Sequence, residues 1–164
     1  MKTKLWLPCL VVISAAGGAL FLASSGEEAE ASFTSEATKD LVKFAKSGAS
    51  LNLRLQAIQA LVEKTETGIE AELEGIAKNG DRRIAIFACT ALGKRRSSAA
   101  KSSLKNLFQS TSLSTLTRKS AMSAVAVHWK DPDDLAYFDT RTRILGDSDL
   151  RAHYLFVKSR IYRR

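Results

Sequence analysis

The sequence predicts an all-α fold: an α-solenoid of about four stacked antiparallel helix pairs, preceded by a signal or anchor segment. Three observations predict it. One figure recurs: Arg54 to Leu61 reads Arg-Leu-Gln-Ala-Ile-Gln-Ala-Leu, and the pattern returns from Ala85, Arg118 and Arg151, at intervals of 31, 33 and 33 residues. A period between about twenty and fifty residues marks stacked repeats, because one unit cannot bury its apolar face alone. The helix after the figure repeats as well, since Ile69, Leu73 and Ile76 return 31 residues on as Ala100, Leu104 and Leu107. Finally, only two prolines and nine glycines occur in 164 residues. That leaves long stretches free of helix breakers, and none sustains the two-residue alternation of a half-buried strand.

The front end reads as a targeting segment over residues 1–25. Lys2 and Lys4 precede an uncharged, mostly apolar run from Leu5 to Ala23, and Glu27, Glu28 and Glu30 follow. This is the layout of an export signal, with small residues suiting cleavage after Ser25 or after Ala31. The alternative is an uncleaved membrane tether through residues 5–23, whose apolar run at about 1.5 Å per residue spans roughly 29 Å. Pro8 and the Gly17-Gly18 pair weaken a helix there and favour cleavage. Either way, basic residues before the run and acidic ones after it place the rest outside the cytoplasm, periplasmic or extracellular. Cys9 follows Pro8 and lies too near Lys4 for a lipoprotein site. Cys89 is then the one cysteine of the mature part, flanked by alanines in a repeat helix and read as a buried, inert thiol.

Residues 26–33 form a polar, acidic lead, and the helical repeat domain covers 34–164. A first helix from Thr34 to Lys46 stops at Ser47-Gly48. Ser50 caps the next, which carries two apolar stripes, one through Leu51, Leu55, Ile58 and Val62, the other through Leu53, Ala57, Ala60 and Leu61. Thr67 to Glu70 reads as a capping box. Asn79-Gly80 ends that helix in left-handed geometry, and Asp81 caps the helix through Ile84, Phe87, Ala88, Ala91 and Leu92. Gly93 and the Lys94-Arg95-Arg96 run close it, the cations suiting the negative helix end. Ser97 or Ser98 starts a helix with Ala100, Leu104, Leu107 and Phe108 as its stripe. A Ser/Thr linker from Gln109 to Thr115 leads to Leu116–Trp129. Asp131, Pro132, Asp133 and Asp134 make a strong helix start. Gly146 ends that helix, and Asp147 or Asp149 caps the last one.

The Arg-x-x-Ala-x-x-Ala-Leu helix and the Asp-rich turn between units resemble the short bacterial HEAT repeat, over roughly Leu51 to Lys158. The resemblance implies a scaffold that binds proteins or other polymers; a HEAT-like fold can also host nucleic-acid enzymes, but the export signal and the lack of a carboxylate-plus-aromatic pocket argue against one here, and no cofactor or metal is expected. Ala85 departs from the repeat arginine and Tyr154 from a small residue. Only the third turn carries the Asp-Pro start.

Charge is uneven. Gly26 to Asp81 holds six Lys/Arg against eleven Asp/Glu, and Arg82 to Arg164 holds seventeen against six. No carboxylate occurs between Arg82 and Lys130. Lys94, Arg95, Arg96, Lys101 and Lys105 lie in that gap, with Arg118 and Lys119, and together they form the candidate binding surface. Lys101 and Lys105 share a helix face and repel, with no acid nearby in the chain. Partners that fit are a protein, or an anionic macromolecule such as nucleic acid, anionic lipid or an envelope polymer. Arg54, Arg118 and Arg151 recur in register, either as an anion-binding ladder or, the favoured reading, as partners of an acid or carbonyl in the adjoining turn. Self-association through the last helix, where Phe156, Ile161 and Tyr162 lack a following unit, is a further outlet.

No catalytic constellation is present. The histidines are His128 and His153, with no cysteine or carboxylate at metal-ligand spacing. Asp131, Asp133 and Asp134 fit helix capping, since the loop lacks the glycine and terminal glutamate of a calcium site. Neither a glycine-rich phosphate loop nor a nucleophile elbow occurs.

Overall fold

The computed structural model describes residues 37–161. The expected signal or anchor (1–25), the acidic lead (26–33) and Tyr162 lie outside the described residues. Within them the chain forms eight helices, α1 Thr38–Ser47, α2 Leu51–Glu63, α3 Ile69–Asn79, α4 Arg82–Arg95, α5 Ser98–Gln109, α6 Thr115–Trp129, α7 Pro132–Leu145 and α8 Ser148–Ile161. No strand occurs among the described residues.

Local chemistry explains most boundaries. A helix start leaves backbone N–H groups without partners, and a short oxygen-bearing side chain before it accepts from them. Ser50 accepts from Leu53 N–H at 3.2 Å, and Asp81 from Arg83 and Ile84 N–H at 2.9 and 3.1 Å. Ser97, rather than Ser98, caps α5 by accepting from Ala100 N–H. Asp131 caps α7 ahead of Pro132, and Asp147, rather than Asp149, caps α8. The Ile84 N–H bond holds the Asp81 carboxyl below its ordinary range, with further help from Arg83 N–H and Arg54.

Several local expectations are corrected. α1 starts at Thr38 after Ala37. Thr67 and Glu70 make no capping box: Gly68, at φ 91°, is the residue before α3 and no side chain caps it. The left-handed turn at Gly68 replaces the box, and Glu70 is drawn away by Arg95 and Ser97. Gly80 is extended, at φ −77° and ψ 158°, not left-handed. Its requirement is room, since a Cβ there would sit 2.5 Å from Ile84 Cγ2 and 2.7 Å from the Ile76 carbonyl oxygen. Gly93 does not end α4. It lies inside the helix, buried, and Arg96 in left-handed geometry (φ 53°) follows the last turn.

The principal pairings are α1 with α2, α3 with α4, α5 with α6 and α7 with α8. Connections of a few residues between helices packed along their length make each pair antiparallel. The unit is therefore shifted by one helix from the sequence expectation, because each helix at the arginine position packs more against the helix before it than against the helix after it. The even-numbered helices α2, α4, α6 and α8 pack in series as one row, and α1, α3 and α5 in series as another. Small side chains set the even row's spacing. A Cβ on Gly93 of α4 would lie 2.5 Å from His128 Cδ2 and 3.2 Å from Ala124 Cβ, both on α6.

One apolar core runs between the rows, from Leu41 and Ala45 through Ile58, Leu61, Leu73, Ile84 and Leu92 to Met122, Val125 and Tyr154. Phe108 of α5 meets Phe138 of α7 edge to face at 4.9 Å, which carries the core into the last pair.

Two glycine substitutions in α3 and its exit test this packing. Gly75 lies mid-helix, and a Cβ added there would meet nothing within 4 Å. Gly75→Ala should therefore stabilise by about 0.5–1 kcal/mol through helix propensity. Gly80→Ala should destabilise by about 1–3 kcal/mol because Ile84 and the Ile76 carbonyl must move. Urea denaturation of both variants measures this, and equal stability of Gly80→Ala and wild type would contradict the close α3–α4 turn.

Candidate interaction surface

Arg95, Lys101, Lys105, Arg118 and Lys119 of the carboxylate-free segment are not unbalanced, and for Lys101 and Lys105 this corrects the expectation of unrelieved repulsion. Their partners lie one repeat away. Arg95 Nε donates to Glu70 Oε1 at 2.9 Å, and its Nη1 donates to the carbonyls of Leu61, Val62 and Lys64 at the end of α2. Lys101 Nζ reaches Asp131 at 3.2 Å and Asp134 at 2.7 Å, and Lys105 Nζ reaches Asp134 at 2.6 Å. Lys101 lies over the Trp129 ring and Lys105 over that of Tyr137, a further use for each cation. Lys119 Nζ pairs with Asp149 at 2.6 Å. Arg118 is buried, its Nε donating to the Phe108 carbonyl at 2.9 Å and its Nη1 lying 3.6 Å from Asp147.

Arg54 makes the same two links as Arg118, to the carbonyl of Ala45 at the end of α1 and to the cap residue Asp81 of α4. Arg151 bonds the Asp139 carboxylate and carbonyl and the Thr142 hydroxyl. The recurring arginines are thus structural, as favoured from the sequence. Where Ala85 replaces the arginine, the cap of the next even helix is Ser114 instead of aspartate.

Two of the candidates have no carboxylate partner among the described residues. Lys94 Nζ donates to Gln59 Oε1 at 3.2 Å, and Arg96 is exposed at the α4 terminus. Both act on His128, whose imidazole is held below its ordinary range by burial first and then by Arg96 and Lys94.

His128 borders an open groove of about 570 Å³ on the outer face of the even row. Ile86 and Thr90 of α4 form one wall, Leu116, Ser120 and Val127 of α6 the floor, and His153 of α8 the other wall. The repeat register brings these together: Thr90, Ser123 and Phe156 occupy one position of successive even helices, and Lys94, Val127 and Arg160 another. Phe87, Val127 and Phe156, exposed by 39, 55 and 54%, add apolar surface on these helices. His153 Nε2 lies 2.7 Å from Ser123 Oγ. Burial, then Lys119, keep that imidazole below its ordinary range. The groove was missed from the sequence because its side chains come from three different repeats.

A second groove, about 790 Å³, lies between α7 and α8, lined by Leu135, Ala136, Tyr154, Leu155 and Lys158 among others. Of the end-helix residues expected to be exposed, Phe156 is, and Ile161 is half-buried against the core.

Burial pushes the Cys89 thiol up to about 12, which fits an inert core cysteine. Among the described residues no three His, Cys, Asp or Glu side chains cluster as metal ligands. None of the described helices is long and apolar enough to cross a membrane.

A family model described as HEAT repeats matches residues 38–126, more than half of the chain. No curated protein and no solved structure matches it.

The Arg95–Glu70 pair yields a pH prediction. Burial alone raises the Glu70 carboxyl, but the Arg95 and Ser97 hydrogen bonds outweigh it and leave it below its ordinary 4.5. A carboxylate with a lowered folded pKa contributes stability above its unfolded pKa and loses it as pH falls through the folded value. Arg95→Met should cost about 2–4 kcal/mol at neutral pH, since it strands Glu70 and three carbonyls. It should also flatten the stability loss below about pH 4.5. Glu70→Gln should cost less in that background than in wild type. Thermal denaturation across pH measures both, and additive effects of the two substitutions would contradict the coupling.

Proposed function

The chain belongs to the HEAT repeat family, and from that premise we propose that it is a non-catalytic scaffold binding a partner protein on the outer face of α4, α6 and α8. HEAT repeats generally serve as protein-interaction scaffolds, which is the coarse part of the reading. The finer part rests on one observation: of the large apolar side chains exposed among the described residues, Phe87, Val127, Leu155 and Phe156 belong to the even row, where the groove between α4 and α8 also opens, and only Ile144 of α7 lies outside it. An exposed apolar patch bordered by polar groups suits a protein contact.

The alternative, a cationic module for a polyanion, loses support from the ion pairs. Lys101, Lys105, Lys119, Arg95 and Arg118 are directed to carboxylates of neighbouring repeats. A phosphate backbone is followed by many free cations at once, and few of these are free. Action outside the cytoplasm, with or without a tether through residues 5–23, is part of the proposal and rests on the charge and hydropathy pattern of residues 1–31 alone. Self-association through α8 is a competing use of Leu155 and Phe156, favoured by the groove between α7 and α8.

Site-specific photocross-linking in the native host tests the reading. A photoreactive side chain in place of Val127 or Phe87 should give one discrete protein adduct that persists at high salt. The same group at Ser102, exposed on α5, should give none. Adducts only with a second copy of the chain would favour self-association, and equal labelling from both faces would contradict the proposed surface.

A further inference from the structure

We infer that the segment seated on the even-helix face is an acidic peptide of the partner protein, with an apolar side chain in the groove beside Val127 and carboxylates on Lys94 and Arg96. The inference rests on the scaffold reading and names the chemistry of its ligand. Charge complementarity carries it. No carboxylate lines the groove among the described residues. The nearest one on α8, Asp149, is held by Lys119 at 2.6 Å. At the α4 end, Lys94 and Arg96 have no carboxylate partner among the described residues. Lys94 Nζ rests on the neutral Gln59 of α2, and both residues lie just after Gly93, against which the groove residue His128 packs closely. Lys130, in left-handed geometry just after α6, adds a further exposed cation, with no ion pair among the described residues. The groove therefore joins an apolar floor to an uncompensated positive rim.

The division of cations separates a peptide from a nucleic acid. A duplex requires a stripe of free Lys and Arg along the surface. Here the cations unpaired among the described residues form no such stripe: Lys94, Arg96 and Lys130 gather at one end of the groove, and others, such as Lys39 and Lys43 on α1, Arg82 and Arg83 at the start of α4 and Arg160 on α8, are scattered over other elements. Hydroxyl oxygens that can accept from peptide N–H groups line the remainder, Thr90 from α4 and Ser120 from α6, each already donating its own hydrogen to a carbonyl one turn back in its helix. A short peptide with carboxylates beside a leucine or phenylalanine matches both parts, whereas a phosphate backbone matches only the rim.

Fluorescence anisotropy on the full chain tests it, with a labelled peptide bearing a Leu-Phe pair flanked by glutamates, and its glutamine counterpart. The glutamate peptide should bind more tightly by about ten-fold, in keeping with a few close charge contacts. Lys94→Glu with Arg96→Glu should remove that advantage, and Val127→Asp should abolish binding of both peptides. Lys43→Glu, on α1, should change neither. All of these positions are exposed, and an unchanged melting temperature verifies that each variant folds. Equal affinity for the two peptides, still lost in Val127→Asp, would overturn the acidic ligand and leave the scaffold reading standing. Absence of binding by either peptide, or full competition by a DNA duplex, would overturn the inference, and indifference of bound peptide to Val127→Asp would overturn both.

Discussion

The arrangement depends on the guanidinium of Arg95. It joins four helix ends at once. It donates to the carbonyls that end α2, it stands at the end of α4, and it holds Glu70 in the first turn of α3. Glu70 in turn accepts from Ser97 Oγ, the cap of α5. Helix ends carry unpaired backbone groups, and burying them without partners is costly. A planar fork of donors suits this junction better than an ammonium on a flexible stem. Because the pair is only 10 and 12% exposed, it is weakly screened and its loss is felt.

The same logic recurs with different residues at the other edge of the stack. Arg54 and Arg118 each bridge the end of an odd helix to the aspartate that caps the next even helix. Where Ala85 removes the bridge, serine takes the cap and the aspartate disappears. Arginine and aspartate thus occur together or not at all at this joint. The charge asymmetry along the chain follows from the same geometry. Carboxylates of α3 and of the starts of α7 and α8 lie against the basic middle on both sides, so Arg95, Lys101, Lys105, Arg118 and Lys119 of the segment without acids are neutralised by their neighbours in space.

Much of this was legible in the sequence. The repeat interval gave the helices, the caps Ser50, Asp81 and Asp131, and the structural role of the recurring arginines, because these depend on local spacing and on residues of fixed chemistry. The basic surface was misjudged for a definite reason. Reading along the chain, Lys101 has no acid within reach, yet Asp131 stands 30 residues on and becomes adjacent when repeats stack. The Thr67–Glu70 box failed because a tertiary partner, Arg95, competed for Glu70, and Gly93 misled because close packing of α6 requires a helix-interior glycine as well as a terminal one does. The groove was not legible, since its walls come from α4, α6 and α8 and none of its side chains forms a motif within one repeat.

What distinguishes this chain from a bare stack of repeats is then the division of its cations. One set, Arg54, Arg95, Lys101, Lys105, Arg118, Lys119 and Arg151, holds the repeats together, and another, Lys94, Arg96 and Lys130 at the α4 and α6 ends, has no carboxylate partner among the described residues. The most direct test neutralises Lys94, Arg95, Arg96, Lys101, Lys105, Arg118 and Lys119 one at a time, to Met or Gln, and measures the melting temperature of each. The account predicts marked loss at Arg95 and Arg118, smaller loss at Lys101, Lys105 and Lys119, and none at Lys94 and Arg96. Seven unchanged melting temperatures, or loss at Arg96 equal to that at Arg95, would contradict it.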